Sequence, residues 1–97
     1  MPFLIEFTPS AEDDLTHFRA ADRRVILDAV RTHLSNDAAI ESRRRKRLAE
    51  NPLASWELRV GDHRVFYEIE GDATVTILAV GVKSHNDLYI RGKRVEL

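Results

Sequence analysis

The chain alternates apolar and polar residues on both sides of a short turn between Trp56 and Glu70. The apolar members of this alternation are Trp56, Leu58, Val60, Val65, Tyr67 and Ile69. Gly61-Asp62 separates the two runs, and a two-residue loop that begins with glycine is typical of a β-hairpin. A period of two on both sides of such a loop predicts two antiparallel strands rather than a helix.

Pairing these strands across the loop, with Val60 opposite His63, gives the hairpin one wholly apolar face. The other face places Arg59 directly opposite Arg64, beside Glu57. Like charges opposite one another destabilise a sheet. Two neighbouring arginines therefore indicate that this face binds an anion.

The N-terminal residues predict a strand followed by a helix. Phe3, Ile5 and Phe7 recur at every second position, which indicates a first strand. Thr8 is a candidate N-cap, and the proline after it suits the first position of a helix. We predict this helix over residues 9–20.

A second helix is expected next, with Asp22 as its candidate N-cap. Its apolar stripe runs at helical spacing from Val25 to Leu34. Only a few residues around Ala20-Ala21 join the two helices, and so short a link favours an antiparallel helical hairpin.

Residues 37–54 form the least regular part of the chain. We predict a short helical turn over residues 37–42 and a turn at Asn51-Pro52. Five consecutive basic residues lie in this connector: Arg43, Arg44, Arg45, Lys46 and Arg47. They are too charged to bury, so they form either a solvated loop or a contact with the phosphates of RNA.

A third strand of the meander is predicted over residues 74–82, after a turn at Gly71-Asp72. If Glu70 faces Ala73 across this turn, Arg64 faces Ala79. Lys83 then lies on the same face as the two arginines of the hairpin.

Ser84 is the candidate cap of a short final helix or turn that includes Tyr89; we take the helix as the prediction. The predicted order of elements is β-α-α-β-β-β-α. This is an α+β domain in which an antiparallel sheet carries a helical hairpin on one face and leaves the other face partly open.

The composition fits a single domain over residues 1–97. The chain is 43% apolar and 32% charged, which supports a hydrophobic core and argues against disorder. Its net charge of −1 does not by itself predict a nucleic-acid partner. Without a leader-like N-terminus or an apolar run of about 20 residues, we expect a cytoplasmic protein with no membrane partner.

Neither a metal nor a cofactor is expected. The chain has no cysteine, so disulfides and thiolate metal sites are excluded. The histidines are scattered without the spacing of a zinc-ligand pair, and no glycine-rich phosphate loop is present. His85 is the one histidine that we place among the candidate RNA-binding residues, because it lies near Lys83 and Tyr89 in the sequence.

Cleaving RNA without a metal requires groups that activate the 2′-oxygen, stabilise charge on the phosphate and protonate the leaving oxygen. Arginine and lysine suit the second role. Tyr89 is the candidate for the first or the third, assisted by Lys46 or Lys83. The alternative is that Tyr89 packs the final helix against the sheet.

Several motifs of the chain together resemble one family. K-R-L-x(7)-W-E-L-R-V-G-D-x-R-V-F-Y begins at Lys46, and I-L-A-V-G-x-K with a downstream tyrosine extends the pattern to Tyr89. With the N-terminal F-T-P-S-A motif and the helical hairpin, they resemble the RelE/ParE superfamily of toxins from type II toxin–antitoxin systems. The likeness covers nearly the whole chain and implies the small RelE-like fold.

The resemblance implies two kinds of activity. RelE-like members are ribosome-dependent mRNA endonucleases that cleave by attack of the 2′-hydroxyl without a metal, and ParE-like members inhibit DNA gyrase. The leading hypothesis is an mRNA interferase whose partners are the ribosome, mRNA and a RelB-like antitoxin that neutralises it in a hetero-oligomer. A gyrase inhibitor without nuclease activity and a non-toxic module that binds an antitoxin are the alternatives.

Carried over by position, the resemblance implies catalytic roles for Arg59, Arg64, Lys83 and Tyr89, and it implies that Lys46 and Arg47 belong to a basic loop that binds the ribosome or RNA. We also place Lys46 in the candidate catalytic set, because it can assist Tyr89. The RNA-binding set from the basic run and its surroundings comprises Arg43, Arg44, Arg45, Arg47 and His85. Two positions depart from the RelE pattern. Glu57 stands where that pattern has a lysine, and Lys83 stands where it has an arginine, so the bidentate fork of the guanidinium is lost.

Overall fold

A seven-stranded sheet carries two helices on one face in the computed structural model, which describes residues 2–97. The helices are α1 (Pro9–Thr16) and α2 (Ala20–Leu34). The strands are β1 (Leu4–Phe7), β2 (Arg45–Arg47), β3 (Trp56–Val60), β4 (His63–Glu70), β5 (Thr74–Ser84), β6 (Asp87–Ile90) and β7 (Lys93–Val95). The predicted α+β class and the N-terminal helical hairpin are confirmed. No helix among the described residues is long and apolar enough to cross a membrane.

The sheet is antiparallel in the order β2-β3-β4-β5-β6-β7, with β1 added in parallel to β5. The predicted hairpin register of β3 and β4 is confirmed at every pair, including Trp56 with Tyr67 and Arg59 with Arg64. Gly61 has φ +59°, a conformation that glycine adopts readily and that a glycine-first hairpin turn requires.

The main core lies between the helices and one face of the sheet. Ile26, Val30 and Leu34 of α2 pack over Leu58 and the neighbouring apolar residues of β4 and β5. The helical stripe and the strand alternation were both visible in the sequence, so this core follows from patterning alone.

Tyr67 is the largest fully buried side chain in this core. Its ring stacks on Trp56 with centroids 5.8 Å apart, and its hydroxyl donates to the carbonyl oxygen of Ala38 at 2.8 Å. Burial raises the pKa of Tyr67, and the charge of Arg45 only partly offsets this effect. The phenol is thus a neutral donor that ties the connector to the sheet.

The helix boundaries differ from those predicted. The Thr8 side chain accepts from the Ala11 backbone N–H at 3.1 Å, which confirms the predicted N-cap. However, α1 ends at Thr16, and α2 begins at Ala20 after an extended Arg19. Asp22 was wrongly predicted as the cap of α2; it lies within the first turn, where a carboxylate favours the positive end of the helix dipole.

Strand β5 depends on three different neighbours along one edge. Its first residues pair with β1 and its last residues pair with β6. Between them, the buried Asp14 of α1 accepts from the backbone N–H of Val80 through Oδ2 at 3.0 Å. The other carboxylate oxygen, Oδ1, lies 2.8 Å from Nε of Arg91 in an ion pair without hydrogen-bond alignment. Sequence reasoning missed Asp14, because it stands in an ordinary acidic first half of a helix.

The predicted register of the third strand was wrong by one residue at its start and by two residues beyond the bulge, although the predicted face of Lys83 was right. Glu70 lies opposite Thr74 rather than Ala73, and the ladder shifts again at a bulge between Phe66 and Tyr67. Arg64 consequently lies opposite Gly81. Two single-residue shifts restore the original parity, because side chains alternate with a period of two.

The predicted final helix is wrong, since residues 84–95 form two tight hairpins instead. His85 and Asn86 have φ +54° and +70°, and Arg91 and Gly92 have φ +52° and +78°. Consecutive residues with positive φ are typical of type I′ turns, which join antiparallel strands. Tyr89 therefore belongs to strand β6.

Part of the connector is more regular than predicted. The residues expected to be loop include the short edge strand β2, whose charges suit a sheet edge that must not pair with other chains. The predicted turn at Asn51 is confirmed: its Oδ1 accepts from the backbone N–H groups of Leu53 and Ala54 at 2.8 and 3.1 Å.

The second face of the sheet is less open than predicted. Phe66, Ala79 and Leu88 are buried there, beneath Ala54 of the connector. This second cluster covers the middle of the face, and Arg59 and Arg64 lie beyond it near the β3–β4 turn.

Gly81→Ala should destabilise the fold by about 1–3 kcal/mol, because an added methyl group overfills this packed position. A Cβ at Gly81 would lie 2.5 Å from the backbone oxygen of Tyr89 and 2.9 Å from Ile90 Cγ1. The measurement is the free energy of unfolding in urea.

The matched control for this variant is Gly71→Asn. A Cβ at Gly71 meets nothing within 4 Å, and asparagine tolerates the positive φ of this turn. Equal losses in the two variants would contradict the packing argument.

Candidate functional site

Four cations lie on the second face of the sheet, and two of them lie within 4 Å of a single carboxylate. Register places Lys46 opposite Glu57, and Arg59 opposite Arg64. Lys83 lies on the same face, because it is two residues beyond Gly81, which is opposite Arg64. Its backbone N–H donates to the carbonyl oxygen of Asp62 beside the turn. We call Lys46, Arg59, Arg64 and Lys83 the cationic face. Four of the five predicted catalytic residues thus lie on one face of the sheet, and of these Arg59 and Arg64 are direct cross-strand neighbours.

Glu57 lies on the cationic face between β2 and β4, beside Arg59. Only 7% of its side chain is exposed, and its Oε1 lies 2.9 Å from Nε of Arg59 and 3.8 Å from Nε of Arg64. A buried carboxylate must be paired, since desolvating an unpaired charge is costly. Glu57 therefore compensates the two arginines that would otherwise repel each other.

Arg64 braces the β3–β4 turn. Its Nη1 donates to the carbonyl oxygens of Gly61 and His63 at 2.7 and 2.9 Å, and only 14% of its side chain is exposed. Its buried Nε has no hydrogen-bond partner among the described residues, because Glu57 is too distant. In this arrangement the guanidinium mainly stabilises the turn and is poorly accessible to an incoming anion.

Arg59 is more accessible, with 47% of its side chain exposed. It borders a shallow cleft of about 290 Å³ together with Arg43, Arg44 and Gly61. Within residues 2–97, Arg43 and Arg44 form no ion pair. Three guanidinium groups around one cleft are suited to binding a phosphate or a carboxylate.

The rest of the basic run is held elsewhere. Arg45 donates through Nε to the carbonyl oxygen of Ile40 at 2.7 Å and through Nη1 to that of His33 at 3.3 Å. The Arg47 guanidinium lies 5.5 Å from the ring centroid of Trp56. These two arginines alternate onto the helical side of the sheet, so the predicted RNA-binding run is not one continuous patch.

Tyr89 lies on the opposite face of the sheet from the cationic face. It pairs with Val82, which pairs with His63, and all three alternate onto the helical side. His85 occupies the tip of the β5–β6 turn. The predicted meeting of Tyr89 with Arg59 and Arg64 therefore does not occur in this structure, and the catalytic role of Tyr89 stays a prediction.

The pKa of the half-buried His33 is lowered by its surroundings. Burial lowers the pKa of its imidazole, and the nearby charges of Arg44 and Arg45 lower it further. Among the described residues, no group of three or more histidine, aspartate or glutamate side chains could hold a metal ion.

Comparison with known proteins identifies one family. Residues 5–86 match the family model described as the ParE toxin of type II toxin–antitoxin systems, parDE. The fold is similar to a chain in the crystal structure of the toxin–antitoxin complex RelBE2 from Mycobacterium tuberculosis, with a TM-score of 0.73 and 25% sequence identity. This similarity covers 86% of the present chain and 100% of that chain. No curated protein matches the sequence.

Protonation of His33 should destabilise the fold. Because its folded-state pKa lies below the unfolded value of 6.5, the unfolded chain takes up the proton first. The stabilisation is present above that value and is lost as the pH falls through the folded pKa. Urea unfolding from about pH 7.5 to about pH 5 should show a smaller loss of stability for His33→Gln than for the wild type. His85→Asn at the exposed turn is the control, and an unchanged pH dependence in His33→Gln would contradict the assignment.

Proposed function

This chain belongs to the ParE toxin family of type II toxin–antitoxin systems, and from that premise we propose that it inhibits DNA gyrase without cleaving RNA. We further propose that a cognate antitoxin neutralises it in a hetero-oligomer and that it acts in the cytoplasm, where its target is found. This reverses the order of the two activities that the sequence alone suggested.

The observation that carries the proposal is the buried Glu57 within the cationic face. Metal-free cleavage needs cations that are free to stabilise the charge of the phosphate as it develops. Here one carboxylate oxygen already lies against both Arg59 and Arg64. A phosphate would approach a buried negative charge and compete with it for the same two guanidinium groups.

The position of Tyr89 supports the same proposal. A general acid or base must come within hydrogen-bond reach of the proton that it transfers. Tyr89 lies across the sheet from Arg64, and Lys83 offers a point charge in place of a guanidinium fork. The cationic face thus holds charge without a tyrosine to move protons.

An antitoxin partner is supported by the surface of the helical hairpin. Val25 and Leu27 of α2 are 52% and 41% exposed, and Ile40 of the connector is 58% exposed. The similar chain of known structure comes from a toxin–antitoxin complex. Exposed apolar side chains of this kind can be covered by a protein partner.

Ribosome-dependent mRNA cleavage is the second candidate function. The cleft between Arg43, Arg44 and Arg59 favours it, because Arg43 and Arg44 form no ion pair with any described residue and can bind phosphates there. On this alternative, Arg64→Ala would cost about 2–4 kcal/mol of transition-state stabilisation.

A direct comparison of the two targets tests the function. We expect the purified chain to inhibit supercoiling by gyrase and to leave mRNA intact on programmed ribosomes at the same concentration. The readouts are plasmid topoisomers on a gel and mRNA ends mapped by primer extension. The product of the neighbouring reading frame, added in equal amount, should restore supercoiling. Cut mRNA together with unimpaired gyrase would overturn the proposal in favour of the second candidate.

Glu57→Gln should strengthen binding of a single-stranded RNA oligonucleotide by up to about tenfold, equivalent to ~1.4 kcal/mol. Removing the carboxylate charge frees Arg59 and Arg64 for phosphates, yet no cleavage should appear, because Tyr89 stays on the other face. Fluorescence anisotropy at low salt measures the affinity.

Glu70→Gln is the matched control for this charge change, since Glu70 is exposed at the far end of the same hairpin. An increase of the same size in Glu70→Gln would show that overall charge, rather than Glu57, limits binding. Cleavage by the wild type that Glu57→Gln abolishes would instead identify Glu57 as a general base.

A further inference from the structure

An open cavity of about 640 Å³ lies between α1, the centre of β5 and the C-terminal hairpin. It is separate from the Arg43–Arg44–Arg59 cleft, with which it shares no lining residue. Its volume is in the range of sites that bind a small molecule or several side chains of a peptide. Neither the cationic face nor the main core uses this space.

The floor of the cavity is apolar and only half covered. Leu53, Leu78, Ile90 and Val95 line it and remain partly exposed, next to the buried Ala79. These residues pack against the second cluster on one side and are exposed to solvent on the other. Covering them would remove apolar area from water, which is favourable at about 25 cal/mol per Å².

The rim of the cavity is polar and carries positive charge. Ser10 of α1 and His17, which directly follows α1, stand on one side, with Arg91 and Lys93 of the C-terminal hairpin on the other. The one carboxylate there, Asp14, is already committed to Arg91 and the Val80 N–H. Lys93 is exposed and forms no ion pair with any described residue. The remaining charge on the rim therefore favours a carboxylate.

An unpaired strand edge runs along the same cavity. β7 is the last strand in the sheet order, and its residues Lys93 and Val95 both line the cavity. An extended peptide can add to such an edge through backbone hydrogen bonds, with alternate side chains entering a neighbouring pocket. Single-stranded nucleic acid is a poorer match, because no aromatic ring on the floor offers a surface for stacking bases.

We propose that this cavity binds an extended acidic segment of a protein partner, with large apolar side chains on the floor and carboxylates at Lys93 and the rim. The identification of that partner as the antitoxin rests on the proposed function. The chemistry of the segment, alternating acidic and apolar residues, rests on the cavity alone.

The test uses the full chain labelled with ¹⁵N and a blocked peptide of alternating glutamate and leucine. We expect saturable shifts of the backbone amides of Leu53, Ala79, Lys93 and Val95 in NMR spectra. Peptides that alternate lysine with leucine, or glutamate with serine, should bind at least several-fold more weakly. Equal binding of either control peptide, no binding, or shifts confined to the Arg43–Arg44–Arg59 cleft would overturn the proposal.

Two neighbouring residues on β7 provide matched variants. Lys93→Gln should weaken binding of the acidic peptide by about two- to fivefold, as expected for an exposed ion pair. Arg94→Gln removes the same charge from the other face of the strand and should leave the affinity unchanged. Ser10→Trp, at an exposed position on the rim, should block the cavity and abolish binding. Equal effects of Lys93→Gln and Arg94→Gln would overturn the placement of the carboxylate.

The outcome is independent of the target of the toxin. The Lys93→Gln variant should inhibit gyrase as strongly as the wild-type protein does, because Lys93 lies outside the cationic face. Gyrase inhibition without peptide binding would remove only the cavity proposal, and peptide binding without gyrase inhibition would remove only the proposed target. Amide shifts of the cavity residues that grow with protein concentration, in the absence of peptide, would assign the cavity to a second copy of the chain and overturn the proposal.

Discussion

The fold depends on how β5 satisfies the backbone groups of its outer edge. No single strand spans that edge, so β1 serves one end, β6 the other, and the carboxylate of Asp14 the Val80 N–H between them. An unpaired buried N–H costs about 1–3 kcal/mol, which makes this side-chain contact a structural requirement. It also fixes α1 against the sheet and, through Arg91, fixes the C-terminal hairpin against α1.

Function is shaped by a second buried carboxylate on the other side of the same sheet. Two arginines opposite each other would repel in an isolated hairpin. Glu57 offsets this repulsion, because its carboxylate lies close to both guanidinium groups. The same contacts lower the capacity of the cationic face to receive a phosphate. On the proposed function, this single acidic residue is what distinguishes the chain from a family member that cleaves RNA.

The sequence predicted what depends on neighbours along the chain. The Trp56–Glu70 hairpin needs only a two-residue turn and alternation, so its register could be derived in full. The register of β5 could not, because β5 has a bulge opposite Phe66 and Tyr67 and its Val80 N–H bonds to an α1 carboxylate 66 residues away in the sequence. The face of Lys83 was right only because two shifts cancelled, whereas Tyr89 was misplaced because the His85-Asn86 turn was taken for the start of a helix. Asp14 was missed because nothing local distinguishes it from Glu12 or Asp13.

The contacts of Asp14 also govern when the chain can fold. This side chain, made early, meets Val80 and Arg91, and β1 must wait for residues 74–77 as its parallel partner. Such long-range pairings slow folding, since loop closure precedes their gain in stability. During synthesis the N-terminal strand and helix therefore stay without these partners until residues 74–91 have been made.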